Sequence, residues 1–450
     1  MARPRFLTFE EMVNEVLDES EEDEDASDPD TEIESSSSES CLSEPDDIIV
    51  SSSVDDPLYI AKDGTTWRSE PYATGRLGRE NVINLRPGVT RFASSRVNNI
   101  RDSFLLLFPS SLSKIIIENS NNYGKYLHGS NHLEIDEELF HAYLGILLLA
   151  GVYKSKNDTL HDLFEEYWPP VFSIFRSIMS ERTFLYIHKI IRFDDVLTRR
   201  GQRNDDKFAP IRNLWEKWSE QLPIFYNPND CVTVDEQLLG FHGRCKFRQY
   251  IPSKAQRYGL KFWLLVDSRT CYVWKIQPYL GKGVTGNTER NQGERVVLDL
   301  VDGLKGHNVT MDNFFSSHSL GQKLLQKQMT MVGTMRKNKR SIPPKLLNCK
   351  KVPRYESTFA FTPDTTLVSY ISHKNKCTVV MSTLHHAPNI ENESKKLREI
   401  ISFYNSTKGG VDTVDKMLSC YSCKRKNNRW TMAVFSNIID ISALNSYILY

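Results

Sequence analysis

The sequence predicts a mixed α/β fold built behind a helical platform, and three observations carry that expectation. Apolar residues recur at helical spacing through much of residues 90–228. At Cys231 the pattern changes to short runs rich in valine and leucine. From there to Thr334, strand-like and helix-like runs alternate, which is the order that builds a mixed sheet with helices packed on it.

The elements follow in chain order. Residues 1–56 are acidic and serine-rich, with Asp18 to Asp25 almost all acid and Ser35–Ser38 a serine run. Such a segment buries too little apolar area to offset its ordering entropy, so a disordered arm is expected over residues 1–60, with a linker at 61–89. In the helical region, the apolar stretch begun by Ile135-Asp-Glu-Glu-Leu-Phe runs to Tyr153. Ser180-Glu-Arg-Thr reads as an N-cap ahead of Phe184, Ile187, Ile190 and Ile191. Asn213 to Trp218 reads as a further helix. Val232, Val234 and Leu238-Leu239 then read as a strand, and Leu260–Val266 with Cys271–Trp274 as a β-hairpin. Glu294–Leu304 reads as a helix, Asn308–Met311 as a strand, Ser319–Gln328 as a helix and Met329–Thr334 as a strand. Residues 338–398 look inserted, with Pro343-Pro344 and two strands at Thr366–Ile371 and Cys377–Ser382. The chain resumes with Leu397 to Tyr404, a helix after Gly409-Gly410, and an apolar helix over Asn428–Tyr450.

The formal net charge is zero, but its distribution is uneven. Residues 1–56 hold 20 Asp/Glu against only Arg3 and Arg5, a net of −18. The remaining 394 residues hold 55 Lys/Arg and 37 Asp/Glu, a net of +18. A basic body favours polyanions through counterion release. The arm is either a solubilising tail or an acidic competitor for that body. The N-terminus lacks a secretory signal pattern, and Ala142–Gly151 is too short to cross a bilayer; no membrane partner is expected. The eight cysteines read as reduced thiols. Cys420-x-x-Cys423 has no second Cys/His pair nearby, so no structural zinc is expected, since a zinc site takes about four ligands.

Three segments place an aspartate after an apolar run: Thr233-Val-Asp235-Glu, Thr310-Met-Asp312-Asn and Gly409-Gly-Val-Asp412. Their spacings are 77 and 100 residues. Metal-dependent phosphoryl transfer needs carboxylates gathered from distant parts of a chain, and magnesium takes hard oxygen ligands. A strand end fixes the direction of such a ligand.

The words around these acids narrow the reading. Val234-Asp-Glu-Gln-Leu-Leu-Gly-Phe241 is followed by Gly243-Arg244, Tyr250-Ile-Pro-x-Lys254 and Tyr258-Gly-Leu-Lys261. Then come Asp312-Asn-Phe-Phe-Ser-Ser317, Gly333-Thr-Met-Arg336-x-Asn338, Tyr404-Asn-x-Thr-Lys-Gly-Gly-Val-Asp412-x-x-Asp415 and Asn428-Arg-Trp430. In this order the words closely resemble the piggyBac family of cut-and-paste DNA transposases and their domesticated relatives, from about Trp67 to Tyr450. The basic segment departs from the usual Lys-Pro, with Lys254-Ala255.

That resemblance implies a ribonuclease-H-like core at 229–337 and 399–422, interrupted by an insertion domain at 338–398. It also implies a helical dimerisation and DNA-binding domain at 90–228, to which 423–450 returns. Asp235, Asp312 and Asp412 are then the catalytic triad holding two divalent ions, Mg²⁺ or Mn²⁺, with Asp415 a fourth acid. Read locally, Asp415 could equally be a surface helix residue and Asp235 a cap on a backbone amide. The implied reaction cuts one strand at each transposon end. The freed 3′-hydroxyl forms a hairpin, and after its resolution the ends join a TTAA target. The implied partners are double-stranded DNA and a second copy of the chain, and the implied compartment is the nucleus. Family members continue into a cysteine-rich zinc domain that reads transposon ends. The expectation here is a chain without it, either a truncated transposase or a domesticated, non-catalytic DNA-binding protein.

Three basic clusters are candidates for phosphate contact, against the alternative of solvated surface. The first is Arg244, Lys246, Arg248, Lys254, Arg257 and Lys261. In it, 244, 246 and 248 would share one face of an extended strand, and Tyr250 and Tyr258 would stack on unpaired bases. The second is Arg336, Lys337, Lys339 and Arg340, and the third Lys424, Arg425, Lys426 and Arg429. The last two also fit a nuclear import signal.

Overall fold

The computed structural model describes residues 58–72, 82–155, 158–164, 173–196, 206–252, 254, 256–281, 289–350, 352–374, 376–392 and 396–450. Of the arm expected at 1–60, residues 1–57 lie outside the described residues, while Leu58–Ile60 form a strand that pairs with Thr66–Arg68. The platform is built from α1 (Ile100–Leu107), α2 (Ser110–His128), α3 (Glu137–Val152), α4 (Glu181–Ile190) and α5 (Ala209–Ser219), with shorter helices between them. Side chains of Asn99, Asp136 and Ser180 cap α1, α3 and α4 by accepting from backbone N–H groups that have no partner inside a first turn. Phe184, Ile187 and Ile190 line the buried face of α4, at the spacing the sequence shows.

Among the described residues, eleven strands form one mixed sheet. They are β1 (Leu58–Ile60), β2 (Thr66–Arg68), β3 (Cys231–Gly240), β4 (Gln249–Tyr250), β5 (Tyr258–Asp267), β6 (Val273–Pro278), β7 (Asn308–Met311), β8 (Thr330–Thr334), β9 (Ser357–Phe361), β10 (Thr366–His373) and β11 (Lys376–Ser382). Across the sheet they run β1-β2-β9-β10-β11-β8-β7-β3-β5, with β4 and β6 both paired to the far edge of β5. The pairings β3–β7 and β7–β8 are parallel, and the other pairings in this sheet are antiparallel. The parallel pairs need crossovers, which run through α6 (Gln292–Leu300) and α7 (His318–Gln326).

Two segments differ from the sequence expectation. The strands of the expected insertion continue the core sheet edge to edge from β8, and they cover a second apolar cluster formed by Val332, Val368, Tyr370, Val380, Ile400, Ile401 and Tyr404. The expected linker contributes β2, whose Trp67 is fully buried. The turn between β1 and β2 explains this: Gly64 takes a positive φ of 89°, and the Asp63 carboxylate accepts from Thr65 N at 3.0 Å.

The last elements are α8 (Glu399–Thr407), α9 (Gly410–Cys420) and α10 (Trp430–Leu449). Helix α10 is long and apolar enough to cross a membrane, but most of it is buried inside this fold. Its Phe435 packs on Phe108 and Phe193 of the platform side. Its buried polar groups reach neighbouring elements: Asn445 brackets the Val273 backbone, accepting from N and donating to O at 2.9 Å each, and Ser442 accepts from Trp218 Nε1. Buried polar groups are kept where they are hydrogen-bonded, so these contacts fix α10 between platform and sheet.

Of Gly409-Gly410, only the second is required by packing. A Cβ at Gly410 would lie 2.7 Å from Thr233 Oγ1 and 2.8 Å from Val266 Cγ2, whereas one at Gly409 meets nothing within 4 Å. Gly410→Ala is expected to lower unfolding free energy by about 1–3 kcal/mol through overpacking, despite the helix propensity gain of about 1 kcal/mol. Gly409→Ala, at the N-cap with open space where a Cβ would stand, should change it by no more than about 1 kcal/mol in either direction. Urea unfolding of the two variants against the parent checks this.

Candidate active site

Strand β3 carries Thr233, Asp235 and Gln237 on one face, since alternate residues of a strand share a face. Its parallel partner β7 pairs Met311 with Val234, so Asp312 follows directly beside Asp235. Three threonine groups tie the helical side to these strands. Thr233 Oγ1 donates to Thr407 O at 2.7 Å, and the Thr310 and Thr407 hydroxyls share a 2.8 Å hydrogen bond. Thr407 ends α8, so it sets the chain entering α9, which carries Asp412 and Asp415.

The four acids are brought to one face but are not equivalent. Burial, then the charges of Asp312 and Asp412, push the Asp235 carboxyl well above the usual carboxylate range, with Lys254 opposing. Burial also raises Asp312, although the Phe314 N–H donates to its Oδ1 at 2.8 Å. Asp415 is half-buried and pushed up to about 6, chiefly by burial, while accepting from Gln237 Nε2 at 2.8 Å. That contact sets aside the surface-residue alternative for Asp415. Asp412 is 61% exposed, and its Oδ1 lies 3.5 Å from Lys254 Nζ. Burial works against the charge on Lys254, yet Asp412, Asp235, Asp415 and Glu236 together lift its amine above the ordinary value.

Among the described residues no three acid, histidine or cysteine side chains converge closely enough to hold a metal ion as they stand. In kind, the donors fit magnesium or manganese: all are hard carboxylate oxygens. Their mutual repulsion at Asp235 is what an added cation would relieve.

The basic residues divide on inspection. Residues 241–248 form an irregular loop, not a strand. Phe241 and Phe247 are buried anchors, so Arg244, Lys246 and Arg248 are still exposed in alternation. Arg248 donates to His242 O and Gly243 O and lies over the Tyr258 ring. Arg257, Tyr250 and Tyr258 are exposed, the two rings 4.8 Å apart. Lys254 and Lys261 do not belong to this open surface. Lys254 pairs with Asp412, and Lys261 is only 14% exposed, with its ammonium paired to Glu236. Arg336, Lys337 and Arg340 are exposed and Lys339 half-buried, beyond the end of β8, and Arg336 Nε donates to Asn313 Oδ1 next to Asp312.

In the third cluster, Lys426 is exposed, but the others are structural. Arg425 is 7% exposed and donates to Ser155 O and Asp158 O beyond the end of α3. Arg429 donates to His188 O at 2.7 Å and Ile191 O at 2.8 Å, satisfying carbonyls at the end of α4. Burial and the nearby Arg192 push its guanidinium down to about 10. Lys424 donates to Gly240 O. Basic side chains near a helix C-terminus suit the dipole and its open carbonyls, and a charge run does not reveal that use.

Glu236, Gln237, Thr233, Thr310, Thr407 and Asn437 belong to the site without having been assigned roles from sequence. A period of two from Asp235 points to Thr233 and Gln237. A lone Asn in the apolar run Phe435-Ser-Asn437-Ile-Ile is the signal for Asn437.

Arg429→Ala should lower unfolding free energy by about 1–3 kcal/mol, because it removes a part-buried side chain and takes the guanidinium donor from His188 O, while Ile191 O keeps Arg192. Lys337→Ala should leave stability within about 0.5 kcal/mol and lower the salt slope of DNA binding by about 1. Urea unfolding and a salt titration of duplex binding distinguish the two cases.

Comparison with known proteins follows the same lines. The family model described as Transposase IS4 matches residues 101–447. The human PiggyBac transposable element-derived protein 3 is 24% identical over 371 residues, 77% of this chain and 60% of that protein. The human Chimeric ERCC6-PGBD3 protein is 24% identical over 371 residues, 77% of this chain and 34% of its own length. The chain thus spans 60% and 34% of these two relatives. The cryo-EM structure of a piggyBac transposase synaptic complex with hairpin DNA superposes with a TM-score of 0.76 at 35% identity, covering 81% of this chain and 77% of that one. With a family match over most of its length and this structural likeness, the chain belongs to the piggyBac-type transposase family.

Proposed function

We propose that this chain cleaves and joins DNA as a piggyBac-like transposase, acting at TTAA sites in the nucleus through a ribonuclease-H-like core. One observation carries the reading: Asp235 and Asp312 lie side by side on parallel strands, and α9 brings Asp412 and Asp415 to the same face. The solved relative's hairpin-DNA complex supports DNA as the substrate and is consistent with a paired assembly. Asp235, Asp312 and Asp412 would hold two Mg²⁺ or Mn²⁺ ions. When bound, the ions would activate the nucleophile and stabilise the leaving oxygen.

The protein's own groups do the rest. The sheet fixes Asp235 and Asp312, while Thr407 and Gly410 set the approach of α9. The exposed Arg244, Lys246, Arg257, Arg336 and Lys337 would seat the phosphate backbone, which positions DNA without reading its sequence. A second reading is a domesticated DNA-binding protein without turnover. Its support is the set of exposed cations named above, which would hold duplex DNA whether or not the acids turn over.

The test is nicking of a supercoiled plasmid bearing TTAA, with Mg²⁺ or Mn²⁺, alongside a gel shift. The expected result is nicks beside TTAA that EDTA and Asp235→Asn both remove, with duplex binding retained. Binding without nicks would select the domesticated reading, and equal cutting by Asp235→Asn would sink the assignment of that acid.

A further inference from the structure

A chain of buried amides runs from the core helix to the acid face. Asn437 of α10 is 2% exposed and Gln237 of β3 is 3% exposed. Asn437 Nδ2 donates to Gln237 Oε1 at 3.0 Å, and Gln237 Nε2 donates to Asp415 Oδ1 at 2.8 Å. The sense of this chain is dictated by its end. An ionised carboxylate only accepts, so Gln237 must turn its nitrogen to Asp415 and its oxygen to Asn437. Asn437 must then supply a donor. Asp415 itself faces Lys254, Asp412 and Glu236, so a group that fixes one of its oxygens fixes the direction of the other within the acid face.

We propose that Gln237 and Asn437 are positioning residues, a polar relay by which α10 sets the orientation of the Asp415 carboxylate. The inference rests on the transposase reading for its consequence in catalysis, but the relay itself can be tested without turnover. Neither side chain touches the proposed substrate; both act through Asp415. A packing role alone would be met by apolar groups of the same shape, which avoid burying polar atoms. The single sense of donation from α10 to β3 to α9 instead links the core helix to one of the two acids that neither parallel strand carries.

The experiment is a cycle of Asn437→Asp, Asp415→Asn and the double variant, read by thermal unfolding, calorimetric Mn²⁺ uptake without DNA, and plasmid nicking. Asn437→Asp places an acceptor at both ends of Gln237, so its Tm should fall. Asp415→Asn supplies a donor at the far end, so the double variant, with the amide turned round, should recover most of that loss. Nicking should fall at least tenfold in Asn437→Asp and stay low in the double variant. Additive Tm changes would overturn the relay. Recovery of nicking together with Tm in the double variant, or nicking untouched by Asn437→Asp, would reduce it to packing and overturn the positioning role. A parent that takes up no Mn²⁺ and makes no nicks counts against the transposase reading, and the Tm cycle then still decides whether the relay exists.

Discussion

The parallel pairing of Cys231–Gly240 with Asn308–Met311 is the constraint on which the site depends. It sets Asp235 and Asp312 side by side, an arrangement that like-charged, buried groups oppose. The sheet supplies the opposing restraint. Strand β3 is also held along nine residue pairs by β5, and β7 is held by β8. Backbone hydrogen bonds cannot slip by one residue here without turning Asp235 and Gln237 away from the acid face and toward the opposite one. Burial first, and then repulsion from Asp312 and Asp412, raise the Asp235 carboxyl, while the strands stay paired.

Much of the fold is legible in the sequence because its elements are strongly patterned. The helix at Glu181–Ile190 and the strand at Asn308–Met311 lie where spacing puts them. The β1–β2 hairpin was less visible: its three-residue strands carry little periodicity, and Asp63-Gly64 was its main signal. The joining of the 357–382 strands to the core sheet is a tertiary choice. The sequence pattern identifies Thr366–Ile371 and Cys377–Ser382 as strands, within the observed Thr366–His373 and Lys376–Ser382, but it does not say whose edge they extend.

The acids and the bases differ in how far sequence reaches. Aspartates after apolar runs are constrained by strand direction, so the local pattern carries their placement. The basic runs are not so constrained. Arg425 and Arg429 sit two residues either side of Asn427 in a stretch that reads as cationic surface, yet both are spent on carbonyls beyond α3 and at the end of α4. Their destination depends on which helix ends lie within reach of a six-atom side chain, and that is fixed only once α10 has docked. Lys254 and Lys261 turn inward for a related reason: carboxylates at Asp412 and Glu236 lie within reach, and a lysine can bury its stem while its ammonium finds an acid.

The four acids thus fall into a fixed pair and an adjustable pair. Asp235 and Asp312 take their positions from backbone pairing. Asp412 and Asp415 take theirs from side chains: Thr407 at the end of α8, the close approach at Gly410, the Lys254 ammonium and the Gln237 amide. Single side-chain hydrogen bonds contribute about 0.5–1.5 kcal/mol each, whereas a strand inside a sheet moves only with its neighbours. On the proposed reading, any adjustment that would bring the acids onto ions or a phosphate is therefore borne by α9, where the most exposed carboxylate of the four, Asp412, already sits. On that reading, the arrangement places rigidity where two charges are kept together and compliance where a substrate would be admitted.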